Sequence, residues 1–186
     1  MTSFKAAAAL LSLFLCVVCA APSPSGASRV AQGRVSVRAK GRTSIVLTER
    51  GRAHTLDLTK HIDAMKIEDV SVLLLTQRGE SAYLLLDVCG LSKMPPDDRQ
   101  CGAGIECNVV WLKLDRARRV RDAQNARYES CWAPITSEEG PKVSGRRMTL
   151  ALEDLREEVR REVTYDADSP EGGLKVTQSA IPKSNL

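Results

Sequence analysis

The chain is poor in aromatic residues. They make up 4% of it, and both phenylalanines, Phe4 and Phe14, fall within the first twenty positions. The rest, Tyr83, Trp111, Tyr128, Trp132 and Tyr165, are too few to suggest the exposed ring platforms on which sugars stack. Trp111 stands in an apolar run and reads as core, and Trp132 beside Cys131 reads as packing on a disulfide. Histidine is scarcer still, with only His54 and His61. No H-E-x-x-H motif joins them, no G-x-S-x-G elbow supplies a nucleophile, and no early G-x-W marks a lipocalin-like barrel. The cysteines lack the C-x2-C pairs of a tetrathiolate zinc site. Residues 101–107, CGAGIEC, are glycine-rich, but a strand pattern follows them, whereas a phosphate cradle opens a helix. No cofactor or metal is implied.

Long apolar runs are absent after residue 20, so no later segment can span a bilayer as a helix. The one apolar stretch, residues 6–18, is only about 13 residues against the roughly 20 a span requires. Preceded by Lys5 and followed by Val18 and Ala20, it has the form of a secretory leader cut after Ala20. A lipoprotein anchor does not fit, because Cys16 follows Leu15 and Cys19 follows Val18. Processing would remove Lys5, the leader's one charge, lowering the net charge from +4 to +3. That is too weak a bias to imply nucleic acid or a membrane surface. The expected product is secreted or periplasmic.

Four of the six cysteines, Cys89, Cys101, Cys107 and Cys131, lie beyond the leader. In an oxidising compartment an even count reads as two disulfides, with three pairings open. The favoured one joins neighbours, Cys89 with Cys101 and Cys107 with Cys131.

Residues 21–33, APSPSGASRVAQG, read as a flexible lead, 34–180 as one domain and 181–186 as a tail. Residues 43–59 form an expected hairpin about Glu49-Arg50-Gly51-Arg52. Residues 70–76 and 82–88 are two apolar runs around a glycine-bearing turn. Leu84 and Leu86 face one way, Tyr83 and Leu85 the other, so this hairpin should be central and covered on both faces. Residues 108–114 read as a buried strand, 118–132 as a more polar return near an edge, and 148–152 as a further strand. Residues 152–163, LEDLREEVRREV, fit either a helix or a hairpin turning at 153–156 with a strand at 159–165; the surrounding pattern favours the hairpin. A possible last strand covers 174–177. The fold class is all-β, an antiparallel sandwich with a barrel as the alternative, disulfide-stabilised, with room for a short C-terminal helix only at 152–163.

Three features bear on function. Arg118, Arg119 and Arg121, with Arg116 and Arg127 near, resemble short basic patterns that take sulfate or phosphate in two-point contacts. Asp115 and Asp122 bracket the cluster, and strand alternation would send Arg118 and Arg119 to opposite faces. Lys93 stands before Pro95-Pro96 in a cysteine-bounded loop that could act as a rigid bait for a trypsin-like protease. His54 near Asp57, or His61 near Asp63, could serve a secreted hydrolase. The reading is a binding module rather than an enzyme. Its partner would be an extracellular protein or an anionic polymer, with Arg118, Arg119 and Arg121 as the candidate contacts.

Overall fold

The computed structural model describes residues 35–93 and 104–181. The leader, the lead segment at 21–33, Cys101 and the Pro95-Pro96 loop lie outside the described residues. Within them the chain is all-β: β1 (Val35–Lys40), β2 (Ser44–Glu49), β3 (Arg52–Asp57), β4 (Ala64–Arg78), β5 (Ser81–Ser92), β6 (Ile105–Leu114), β7 (Val120–Glu129), β8 (Ile135–Thr136), β9 (Lys142–Ser144), β10 (Arg147–Asp154), β11 (Val159–Asp166) and β12 (Lys175–Ala180). The one helical element among them is a 3-10 turn at Pro170–Gly172.

The strands form three antiparallel sheets and no closed barrel: β1-β2-β3, then β4-β5-β6-β7, then β12-β11-β10-β8 with β9 also on β10. The four-stranded sheet lies in the middle, because its strands are apolar on both faces. Leu84 and Leu86 of β5, with Val110 and Leu112 of β6, pack against Ile45, Leu47 and Leu56 of the first sheet. Tyr83, Leu85, Val109 and Trp111 pack the other way, against Met148, Leu150, Val163 and Tyr165 of the third. Each fully buried leucine here is worth about 2 kcal/mol. Trp111 is core, as expected: it is buried, meets Tyr83 at a ring separation of 6.0 Å and donates its Nε1–H to the Pro170 carbonyl at 3.1 Å.

Residues 152–163 hold no helix. Met148, Leu150 and Leu152 point inward along β10, and Val163 and Tyr165 along β11, so the period-2 pattern overrides the helix propensity of the charged filler. The chain reverses over residues 155–158, two residues later than expected. There the Asp154 carboxylate accepts the backbone N–H groups of Arg156 and Glu157 at 3.1 and 3.2 Å.

β4 begins at Ala64, six residues before its apolar run. Three register irregularities break its alternation, between Ala64 and Lys66, Ile67 and Asp69, and Val72 and Leu74. Bulges of this kind hide a strand from a period-2 reading and bend it. One bend brings β4 so close to β5 that a Cβ at Gly90 would stand 2.2 Å from the Lys66 carbonyl oxygen.

The favoured cysteine pairing is corrected. Cys89 is bonded to Cys107, not to Cys101. The two face each other in the β5–β6 register with Cα atoms 4.2 Å apart, close to the spacing of a directly opposed cross-strand pair. Adjacent antiparallel strands thus join the first cysteine to the third. Because Cys107 is taken by Cys89, the expected bridge from Cys107 to Cys131 does not exist either, although Cys131 is itself disulfide-bonded.

Candidate binding groove

Three hairpin turns meet at one end of the molecule. The β2–β3 turn is Arg50-Gly51, both with positive φ (50° and 79°), which gives the backbone twist a two-residue hairpin prefers. The β4–β5 turn is Gly79-Glu80, with Gly79 supplying a φ of 58°. The β6–β7 connection is residues 115–119, closed by hydrogen bonds from Asp115 N–H to the Arg119 carbonyl (3.0 Å) and from Arg118 N–H to the Asp115 carbonyl (2.9 Å). Arg118 takes the left-handed conformation there, φ 62°.

What ties these turns together is Arg118. Its Nε and one terminal nitrogen donate to a single Glu49 oxygen at 2.8 and 2.5 Å, and that terminal nitrogen also reaches the Gln77 side-chain oxygen at 3.2 Å. Both charged partners are largely enclosed, with side chains 13% and 16% exposed. The ends of β2, β4 and β6 are therefore held by one guanidinium. A groove runs past it, between β3 on one wall and the 115–119 loop on the other.

The other arginines divide by their counter-ions. Arg119 and Arg121 share the Asp115 carboxylate, each donating Nε–H at 3.0 Å, and both guanidiniums stay more than half exposed. The Arg119 backbone N–H, with those two side chains behind it, holds the Asp115 carboxyl down to about 2. Arg116 meets Glu80 at 3.6 Å with both groups almost fully in water, an arrangement worth about 0–1 kcal/mol. Arg50 and Arg52 are exposed and hold no ion pair among the described residues. Arg50, Arg52, Arg116, Arg118 and Arg119 thus line the groove, with Arg121 beside them on Asp115, against four carboxylates, Glu49, Asp57, Glu80 and Asp115.

Arg118, Arg119 and Arg121 are thus brought together with Arg116 and with Arg50 and Arg52, which are remote from them in sequence. Arg118 and Arg119 bond different carboxylates, Glu49 and Asp115, and both lie in a turn where strand alternation does not apply, since β7 begins only at Val120. His54 lines the same groove, half-buried, and among the described residues makes no hydrogen bond to a carboxylate. His61 lies elsewhere, in the β3–β4 connection, where its carbonyl accepts the Asn125 side chain at 2.8 Å. The nearby Asp57 is taken up by Thr59, whose backbone N–H and hydroxyl donate to it at 2.9 and 2.5 Å. Lys93 is exposed just past the end of β5, and the loop it opens lies outside the described residues. Among the described residues no three His, Cys, Asp or Glu side chains gather as a metal site.

Sequence reasoning also missed two polar clusters. Glu106 is completely buried in β6; one carboxylate oxygen accepts Ser92 Oγ at 2.9 Å and the Cys131 backbone N–H at 3.1 Å, and the other lies 3.4 Å from Arg127. On the opposite face of the central sheet, Tyr128 donates its hydroxyl to Asp87 at 2.7 Å, and Cys89 Sγ lies 3.6 Å from that hydroxyl. The available signal was a polar residue at an inward position of an apolar strand. Glu106 and Asn108 carry it on β6, and Asp87 on β5.

No protein-family model, no curated protein and no solved structure matches this chain.

Proposed function

We propose that the protein is a secreted or periplasmic binding module that holds an anionic polymer across the arginine-lined groove. The observation that carries this reading is the convergence of three turns, which sets Arg50, Arg52, Arg116 and Arg119 around one channel with Arg118 as its braced floor, and holds Arg121 beside it through Asp115. A channel with more guanidinium than carboxylate suits sulfate or phosphate groups repeated along a chain, because each planar fork can make two parallel hydrogen bonds to one anion. Arg119 and Arg121 keep their outer N–H groups in solvent while Asp115 fixes their direction. Arg118 contributes shape, since Glu49 already occupies its fork. The Cys89–Cys107 disulfide fits an oxidising compartment, and among the described residues no helix is long and apolar enough to cross a membrane.

The test is retention on an immobilised sulfated polysaccharide, eluted with a salt gradient. Binding by this groove predicts steep loss of affinity with salt, since condensed counter-ions return to the polymer. Changing Arg50, Arg52, Arg119 and Arg121 together to Ser should abolish retention. Wild-type flow-through at low salt, or undiminished retention of the variant, would refute the reading.

A further inference from the structure

We propose that the open edge of β12 pairs with the same edge of a second copy, joining two molecules about a two-fold axis at Gln178. β12 ends its sheet: it is bonded to β11 on one side, has no partner on the other among the described residues, and exposes all six of its residues. This surface is separate from the arginine groove and does not depend on the function assigned to it.

The phase of the ladder decides which backbone groups are open. Ile181 N–H donates to the Glu158 carbonyl at 3.0 Å, one rung beyond the Ala180–Val159 pair. Hydrogen-bonded and non-hydrogen-bonded pairs alternate along an antiparallel ladder. Lys175, Thr177 and Ser179 therefore turn their N–H and C=O groups toward β11. Val176, Gln178 and Ala180 turn theirs outward, into the open edge.

Proteins normally blunt such an edge with charge, proline or a bulge. Lys175 and Pro182 stand at the two ends of the stretch, but none of these devices lies between them, in VTQSAI, and the register against β11 is unbroken over six pairs. The edge is also self-complementary. Laid antiparallel on itself with Gln178 opposite the second copy's Gln178, the outward groups of Val176 meet those of the second copy's Ala180, and the reverse. Val176 lies on the face where its β11 neighbour Val163 is buried, yet is itself 55% exposed, and this register gives it an apolar neighbour. Thr177 falls opposite the second copy's Ser179, a hydroxyl pair suited to cross-strand contact. Lys175 falls opposite Ile181, so the two lysines sit at opposite ends and no like charges face each other. An isologous contact of this kind closes on itself and does not propagate into a fibre.

The experiment is sedimentation velocity with light scattering on the purified chain, disulfides intact, across the micromolar range at low and high salt. The expected result is a monomer–dimer equilibrium that is little affected by salt. Gln178→Pro removes an outward N–H while leaving the β11 ladder intact, and should be folded and monomeric. Val176→Lys puts a charge on the edge without touching the backbone and should also be monomeric; it decides the matter if Gln178→Pro fails to fold. A wild-type chain that stays monomeric at every concentration overturns the proposal. So does a dimer that a folded Gln178→Pro or Val176→Lys variant leaves intact.

Discussion

Arg118 and Glu49, 69 residues apart in sequence, form the best-enclosed ion pair of the arginine end, at 2.5 Å. A pair of this burial is costly to break, because the remaining charge loses its partner without regaining water. Glu49→Ala should therefore lower stability in urea by about 3 kcal/mol. Glu80→Ala, which removes an exposed partner of Arg116, should stay within about 1 kcal/mol. Arg118→Ala and Arg118→Gly both lose the brace, but glycine also relieves a left-handed backbone that costs a side-chain-bearing residue about 1 kcal/mol. Arg118→Gly should thus be the milder variant. Equal losses for Glu49→Ala and Glu80→Ala would show that the brace contributes nothing.

The Asp87–Tyr128 pair makes a prediction about pH. Burial raises the Asp87 carboxyl above its usual value, while the hydrogen bond from Tyr128 works the other way without cancelling it. A group whose pKa is higher in the folded than in the unfolded state favours folding when protonated. Its contribution is fully present below the unfolded value and is lost as pH rises through the folded one. Asp87→Asn keeps an oxygen to accept the Tyr128 hydroxyl and removes the buried charge. It should melt at or above the wild-type temperature at neutral pH, with the difference shrinking as pH falls to about 4. Tyr128→Phe leaves the carboxylate without its side-chain donor, with only the Val88 backbone N–H remaining, and should cost about 1–3 kcal/mol. A Tm for Asp87→Asn below that of Tyr128→Phe at neutral pH would contradict this account.

A digest of the non-reduced protein should contain one peptide pair joining the Cys89 and Cys107 fragments. Changing both to Ala opens a loop of sequence separation 18 and should lower stability by about 3 kcal/mol, as expected for loops of that length. The two strands remain paired by ten rungs, so the double variant should still fold. Recovery of a Cys89–Cys101 peptide would remove the cross-strand bridge.

The central hairpin was legible because Leu84 and Leu85 each need cover, and only a middle layer covers both faces of a strand. The stretch Ala64 to Asp69 was not, because two of the β4 bulges fall there and scramble the alternation. The β10–β11 hairpin was legible in outline, but its reversal point was not, since the Asp154 side chain fixes the turn rather than the apolar pattern. The cysteine pairing followed sequence nearness, whereas the register of β5 against β6 decided it. The groove was half visible. The run from Arg116 to Arg121 could be read from the chain, but Arg50 and Arg52 join it only through the contact between Arg118 and Glu49.

Asp115 offers the sharpest functional prediction. It neutralises Arg119 and Arg121 at the mouth of the groove and, with its carboxyl held down to about 2, stays ionised at any ordinary assay pH. Asp115→Asn deletes one negative charge and frees both guanidiniums to meet an external anion. If the groove binds an anionic polymer, this variant should elute at higher salt than wild type, with a steeper dependence on ionic strength. The stability readout runs the opposite way. A carboxyl depressed in the folded state contributes stability above its ordinary 3.8 and loses it as pH falls toward 2, so Asp115→Asn should be the less stable protein at neutral pH and should lose less across that acid window. A gain in retention together with a loss in stability separates a ligand surface from a merely solvated turn. Retention at or below the wild-type level would remove Arg119 and Arg121 from the contact.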